Sequence, residues 1–89
     1  MSRYRIEVAR DSLRALAKLD KPVRRRVQVA IDGLGECPRP SGVIALQGLR
    51  GAYRRLRVGN YRVVYTIDDN RLVVLVVDLG HRGEIYRDL

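Results

Sequence analysis

The chain has 89 residues, enough for one compact domain, 1–89, around a single modest core, and 46% of them are hydrophobic and spread along the length. No stretch approaches the roughly 20 consecutive apolar residues of a membrane span, and Cys37, the only cysteine, leaves neither an internal disulfide nor a cysteine-based zinc cluster. Eighteen basic residues against ten acidic ones give a net charge of +8, which points to a polyanionic partner. Sixteen of the eighteen are arginine, whose planar fork grips phosphate with two parallel hydrogen bonds.

Residues 3–9 alternate polar and apolar, with Tyr4, Ile6 and Val8 on one side, the period of a half-buried strand. The charges at Arg3, Arg5, Glu7 and Arg10 do not resemble a secretory signal, so a cytoplasmic location is expected. From Asp11, a cap or first-turn acid, Leu13, Leu16, Ala17 and Leu19 recur at helical spacing. Asp20 and Pro22 suit the start of a second helix, with Val23, Val27, Ile31 and Leu34 as its apolar stripe and Arg24, Arg25 and Arg26 off it. Gly33, Gly35, Pro38 and Pro40 end that helix and open a loop through Gly51. The period then changes. Residues 53–58, 61–67 and 71–79 are rich in Val, Tyr, Leu and Ile and are separated by Gly59-Asn60 and by Asp68-Asp69-Asn70, both hairpin sequences. The expected architecture is α+β: an N-terminal strand, a two-helix hairpin, then a three-stranded antiparallel meander with the helices packed on one face.

A two-residue loop at Gly59-Asn60 makes Val58 face Tyr61, Arg57 face Arg62, Leu56 face Val63 and Arg55 face Val64. One side then carries Leu56, Val58, Tyr61, Val63 and Tyr65, and the other carries Arg55, Arg57 and Arg62. Carrying the register through the next turn sends Val73, Leu75 and Val77 to the core and Leu72, Val74 and Val76 to the arginine side. No acid occurs between Glu36 and Asp68, so the like charges of Arg57 and Arg62 oppose one another at a local cost. A ligand that supplies the missing negative charge accounts for that cost better than a merely solvated basic face.

The segment Tyr53-Arg54-Arg55-Leu56-Arg57-Val58-Gly59-Asn60-Tyr61-Arg62-Val63-Val64-Tyr65, with Gly80-His81-Arg82-Gly83-Glu84-Ile85-Tyr86 after it, resembles the RelE/ParE toxin superfamily. The order of strand, two helices and meander matches that fold along the whole chain. The resemblance implies the toxin half of a bacterial toxin-antitoxin pair. In the RelE branch this is a metal-independent endoribonuclease that cuts mRNA in the ribosomal A site by attack of a ribose 2′-hydroxyl on the adjacent phosphate. It further implies that Arg62 contacts the scissile phosphate, that Arg82 acts as acid or charge stabiliser, and that Tyr86 stacks on or orients the nucleotide. Arg55 stands where relatives carry a lysine that helps activate the nucleophile, and Arg50, Arg54, Arg57 and Arg87 are expected to bind RNA.

Arginine stays protonated and is a poor proton acceptor, so these residues supply electrostatic stabilisation and leave the base unassigned. His81, with an ordinary pKa near neutrality, is a candidate acid or base if the strand bends after Leu79; the alternative is a histidine that anchors the strand end. Expected partners are a cognate antitoxin, the 70S ribosome A site and mRNA, with operator DNA reached only through the antitoxin complex, and no cofactor, metal or membrane. The alternative function is that of the ParE branch, whose members poison DNA gyrase. An RNA-recognition module of the RRM type is disfavoured, because Phe and Trp are absent and Tyr61 and Tyr65 fall on the core side.

Overall fold

The computed structural model of the chain describes residues 3–48 and 51–81, and at 47, 48, 51 and 52 the backbone alone. Arg50, Arg82, Tyr86 and Arg87 lie outside the described residues. Strand β1 (Arg5–Val8) leads through Ala9 into helix α1 (Arg10–Ala17), and helix α2 (Lys21–Gly33) follows after a short turn. Four strands come next: β2 (Ile44–Gly48), β3 (Gly51–Val58), β4 (Tyr61–Asp68) and β5 (Val73–His81). They form one five-stranded sheet in the order β1-β5-β4-β3-β2, in which β1 runs parallel to β5 and the other pairs are antiparallel.

The apolar stripe of α2 behaves as its spacing demands: Val27 and Ile31 are fully buried, Leu34 nearly so, and Val23 packs at the margin. With Leu16 of α1 they cover Val58, Val63, Tyr65, Val74, Val76 and Leu79 of the sheet, closed at one end by Tyr4. Burying each such aliphatic side chain contributes on the order of 2 kcal/mol, so this layer holds the helices to the sheet. The α1 stripe is turned from its expected position. Leu16 is buried, but Leu13 is 54% exposed and Ala17 is exposed, while Ser12 takes the inward place. The cause lies at the helix entry, where the Ala9 N–H donates to the Val76 carbonyl at 2.8 Å and fixes the rotation of the helix that starts one residue later.

The expected loop through Gly51 contains β2, an edge strand whose Ile44 pairs with Arg55 and Leu46 with Tyr53. Its sequence, Ile-Ala-Leu-Gln-Gly, shows no alternation, and its partner β3 supplies the hydrogen bonds that make it a strand. The β3–β4 register agrees with the two-residue hairpin residue for residue. Gly59 has φ +58°, the left-handed conformation such a turn needs. The β4–β5 register corrects the expectation for β5. Asp68 pairs with Val73, so the loop has four residues, and the Asp68 carboxylate accepts the N–H groups of Asn70 and Arg71, both at 3.0 Å, while Leu72 takes φ +56°. Parity is thereby inverted, and Val74 and Val76 face the helices. A bulge then intervenes, since Tyr65 pairs with Val76 but Val64 with Asp78. The extra residue, Val77, returns Leu79 to the core and turns Asp78 to the opposite face.

Candidate functional site: an arginine face on the sheet

The face away from the helices is read most directly as rows across the sheet. One row runs Arg57, Arg62, Gly80, and the next runs Ile44, Arg55, Val64, Asp78. Paired residues project to the same side, so Arg55, Arg57 and Arg62 stand together on this face. Arg57 is exposed, whereas Arg55 and Arg62 are half-buried and the Nε of Arg62 is buried. Gly80, the partner of Arg62 on β5, adds no side chain to this row. Val64, between Arg55 and Asp78, is fully buried although it points away from the helices. The face is therefore an apolar floor edged by cations, a low-dielectric setting in which guanidinium groups attract an anion more strongly than in water.

The remaining candidates fall elsewhere. Arg54 pairs with Tyr65 and projects, half-buried, from the opposite side of β3. His81 pairs with Tyr61, and their rings meet edge to face with centroids 5.3 Å apart and an interplanar angle of 82°. It shares the side of Tyr61, not that of Arg62, and anchors the end of β5 against β4. Asp78 is the residue that the sequence reading overlooked. Its signal was an acid inside the apolar run Val73–Leu79, but only the bulge shows that it joins Arg55 and Arg62.

At the far end of the sheet a polar clamp holds three segments together. Asp69, in the β4–β5 turn, accepts the Tyr4 hydroxyl at 2.6 Å and the Arg39 guanidinium at 2.8 Å. These contacts hold the Asp69 carboxyl below its ordinary pKa, the Arg39 hydrogen bond contributing most, and the same carboxylate raises the pKa of Tyr4. Nearby, the Tyr65 hydroxyl donates to the Pro38 carbonyl at 2.6 Å, and burial pushes its pKa up. Among the described residues no three His, Cys, Asp or Glu side chains cluster in a way that suits a metal ion, and no helix is long and apolar enough to cross a membrane.

Comparison with known proteins agrees with this geometry. Residues 6–86 match the sequence family described as the ParE toxin of type II toxin-antitoxin system, parDE. The chain is 30% identical over 88 residues to the mRNA interferase toxin RelE of Escherichia coli (strain K12), covering 96% of this chain and 92% of that protein. It is 31% identical over 85 residues to Toxin RelG of Mycobacterium tuberculosis, covering 94% and 97%. Among solved structures, the archaeal RelE-RelB complex from Pyrococcus horikoshii OT3 contains a chain that superposes with a TM-score of 0.81 at 31% identity, covering 92% of this chain and 98% of that one. For the RelBE2 complex of Mycobacterium tuberculosis the TM-score is 0.78 at 25% identity, covering 89% and 98%. With these matches, the two helices on one face of a mixed sheet are those of a small α+β toxin of a type II toxin-antitoxin pair. The chain belongs to the RelE/ParE superfamily of these toxins.

Proposed function

We propose that this toxin is an endoribonuclease that cleaves mRNA in the ribosomal A site, without a metal, and that a cognate antitoxin silences it in the cytoplasm. The observation that carries the reading is the row that sets Arg57 against Arg62, with Arg55 beside them, on an apolar floor. Attack of a 2′-hydroxyl on the neighbouring phosphate builds charge on a pentacoordinate phosphorus. Fixed guanidinium donors stabilise that charge without reorganising. Arg62 is assigned to the phosphate in flight and Arg55 and Arg57 to the flanking phosphates. By the family pattern, Arg82 serves as acid or charge stabiliser and Tyr86 orients the nucleotide; Arg50, Arg54 and Arg87 are assigned to general attraction for RNA. His81, on the side of Tyr61, is given no part in the chemistry. The relative named an mRNA interferase supports the reading.

The test is the purified toxin on ribosomes programmed with a defined mRNA. Products with a 2′,3′-cyclic phosphate and a 5′-hydroxyl, made only when a ribosome holds the codon, are expected. Efficient cutting of naked RNA, or 5′-phosphate ends, overturns the mechanism. The family match bears the ParE name, which favours inhibition of DNA gyrase as the second reading. Loss of supercoiling activity when gyrase is incubated with the toxin, together with intact mRNA on programmed ribosomes, would establish it instead.

A further inference from the structure

Arginines can stabilise the transition state of this reaction but cannot take the proton of the attacking hydroxyl. We propose that Asp78 is the proton acceptor, an inference that rests on the reading of the chain as an RNA-cleaving toxin. Its placement carries the argument. The loop of β4–β5 sets Val74 and Val76 inward, and strict alternation would bury position 78 with them. The bulge at Val77 prevents this and turns the carboxylate to the arginine face. Bulges recur beside active sites because they re-aim one side chain in this way.

On that face Asp78 pairs with Val64, two positions along β5 from Gly80, the partner of Arg62, so it is the diagonal neighbour of Arg62, within reach of one bound phosphodiester. Across Val64 lies Arg55. Among the described residues, the other acid–base pair of this face is Arg5 and Glu7 on β1, which stand opposite Val73 and Leu75 and bond each other at 2.9 Å. Asp68 pairs with Val73 at the remote end. Asp78 is thus the acid nearest in register to Arg55 and Arg62 among the described residues. It is half-buried, and its Oδ1 accepts the Leu79 N–H at 2.9 Å, which holds the side chain in place.

In the step assigned to it, the carboxylate takes the proton from the 2′-hydroxyl as the O2′–P bond forms. The P–O5′ bond breaks, the leaving 5′ oxygen takes a proton from solvent, and Asp78 later returns its proton to solvent. No proton or electron is gained or lost overall.

The decisive comparison is D78N, D78E and wild type in single-turnover cleavage on programmed ribosomes as a function of pH. It is run beside binding of the toxin to ribosomes carrying a 2′-O-methyl codon and beside thermal unfolding. Asparagine keeps an oxygen that accepts the Leu79 N–H, so D78N should still fold, and thermal unfolding reads separately what loss of the charge costs the fold. We expect the wild-type rate to fall in acid as protonation removes the base, and D78N to cleave about a hundredfold or more slowly without that acid limb. It should bind the blocked codon as well as wild type or more tightly, since a negative charge is removed from beside phosphate. D78E should restore part of the rate together with the acid limb. Equal rates and pH profiles for D78N and wild type overturn the inference alone. Parallel losses of binding and midpoint in D78N, unrelieved by D78E, overturn it in favour of a structural role. Failure of wild type to cleave any programmed mRNA removes the nuclease reading itself, and the inference with it.

Discussion

Tyr65 shows how much one side chain does in so small a core. Its ring is fully buried between the helices and the sheet, and its hydroxyl satisfies the Pro38 carbonyl in the loop after α2. Tyr65→Phe keeps the ring and removes the bond, so the Pro38 carbonyl loses its partner; a loss of about 1 kcal/mol is expected, read as a lower urea midpoint at unchanged slope. Asp69 predicts a pH dependence. A carboxyl depressed in the folded state contributes stability that is complete above its unfolded value of about 3.9 and is lost as pH falls through the folded value. The Asp69 carboxyl is depressed by Arg39 and Tyr4, so the clamp should hold at neutral pH and fail in acid. Asp69→Asn should lower the thermal midpoint at neutral pH and make its acid decline shallower. Equal slopes for the variant and wild type below about pH 4 would contradict the assignment.

At the scale of elements, the helices make a sharper prediction than their sequences did. Leu13 and Leu16 looked equivalent in an apolar stripe, but the first is 54% exposed and the second 6%. Leu16→Ala should cost about 2–4 kcal/mol and Leu13→Ala within about 0.5; urea unfolding of the two variants distinguishes them. The stripe of α2 and the Gly59-Asn60 hairpin were legible because each follows from a local rule, a period of 3.6 in one case and a turn that demands left-handed backbone in the other. The same local logic made Arg55, Arg57 and Arg62 legible as one face. It failed where the outcome depends on a partner. Edge strand β2 is defined by β3, the rotation of α1 by the Ala9–Val76 bond, and the parity of β5 by a four-residue loop and a bulge. Asp78 was missed for that last reason, and His81 was drawn towards the site although the register sets it beside Tyr61.

For the whole molecule, a charge of +8 governs encounter more than residence. Association with an acidic antitoxin or with ribosomal RNA should be fast at low salt and slow steeply as ionic strength rises, because charges separated by more than about 8 Å are screened at physiological salt. Dissociation of the antitoxin should change much less if buried apolar contacts hold it. Stopped-flow measurement of both rates between low and physiological salt checks this, and salt-independent association would contradict it. Growth arrest on expression of the toxin alone, relieved by its antitoxin, is expected on the same account.

The central claim is that the arginine face performs chemistry and does more than attract phosphate. Arg62→Ala against Arg54→Ala, in single-turnover cleavage on programmed ribosomes, tests it most directly, because the two residues project from opposite sides of the sheet. Loss of one preorganised donor should slow cleavage by Arg62→Ala about a hundredfold or more. Its ribosome affinity should fall far less, since the other arginines still attract the backbone. Thermal unfolding of both variants checks that the fold is kept, and Arg54→Ala should cleave nearly as wild type does. Wild-type cleavage by Arg62→Ala, or equal losses in both variants, would contradict the account.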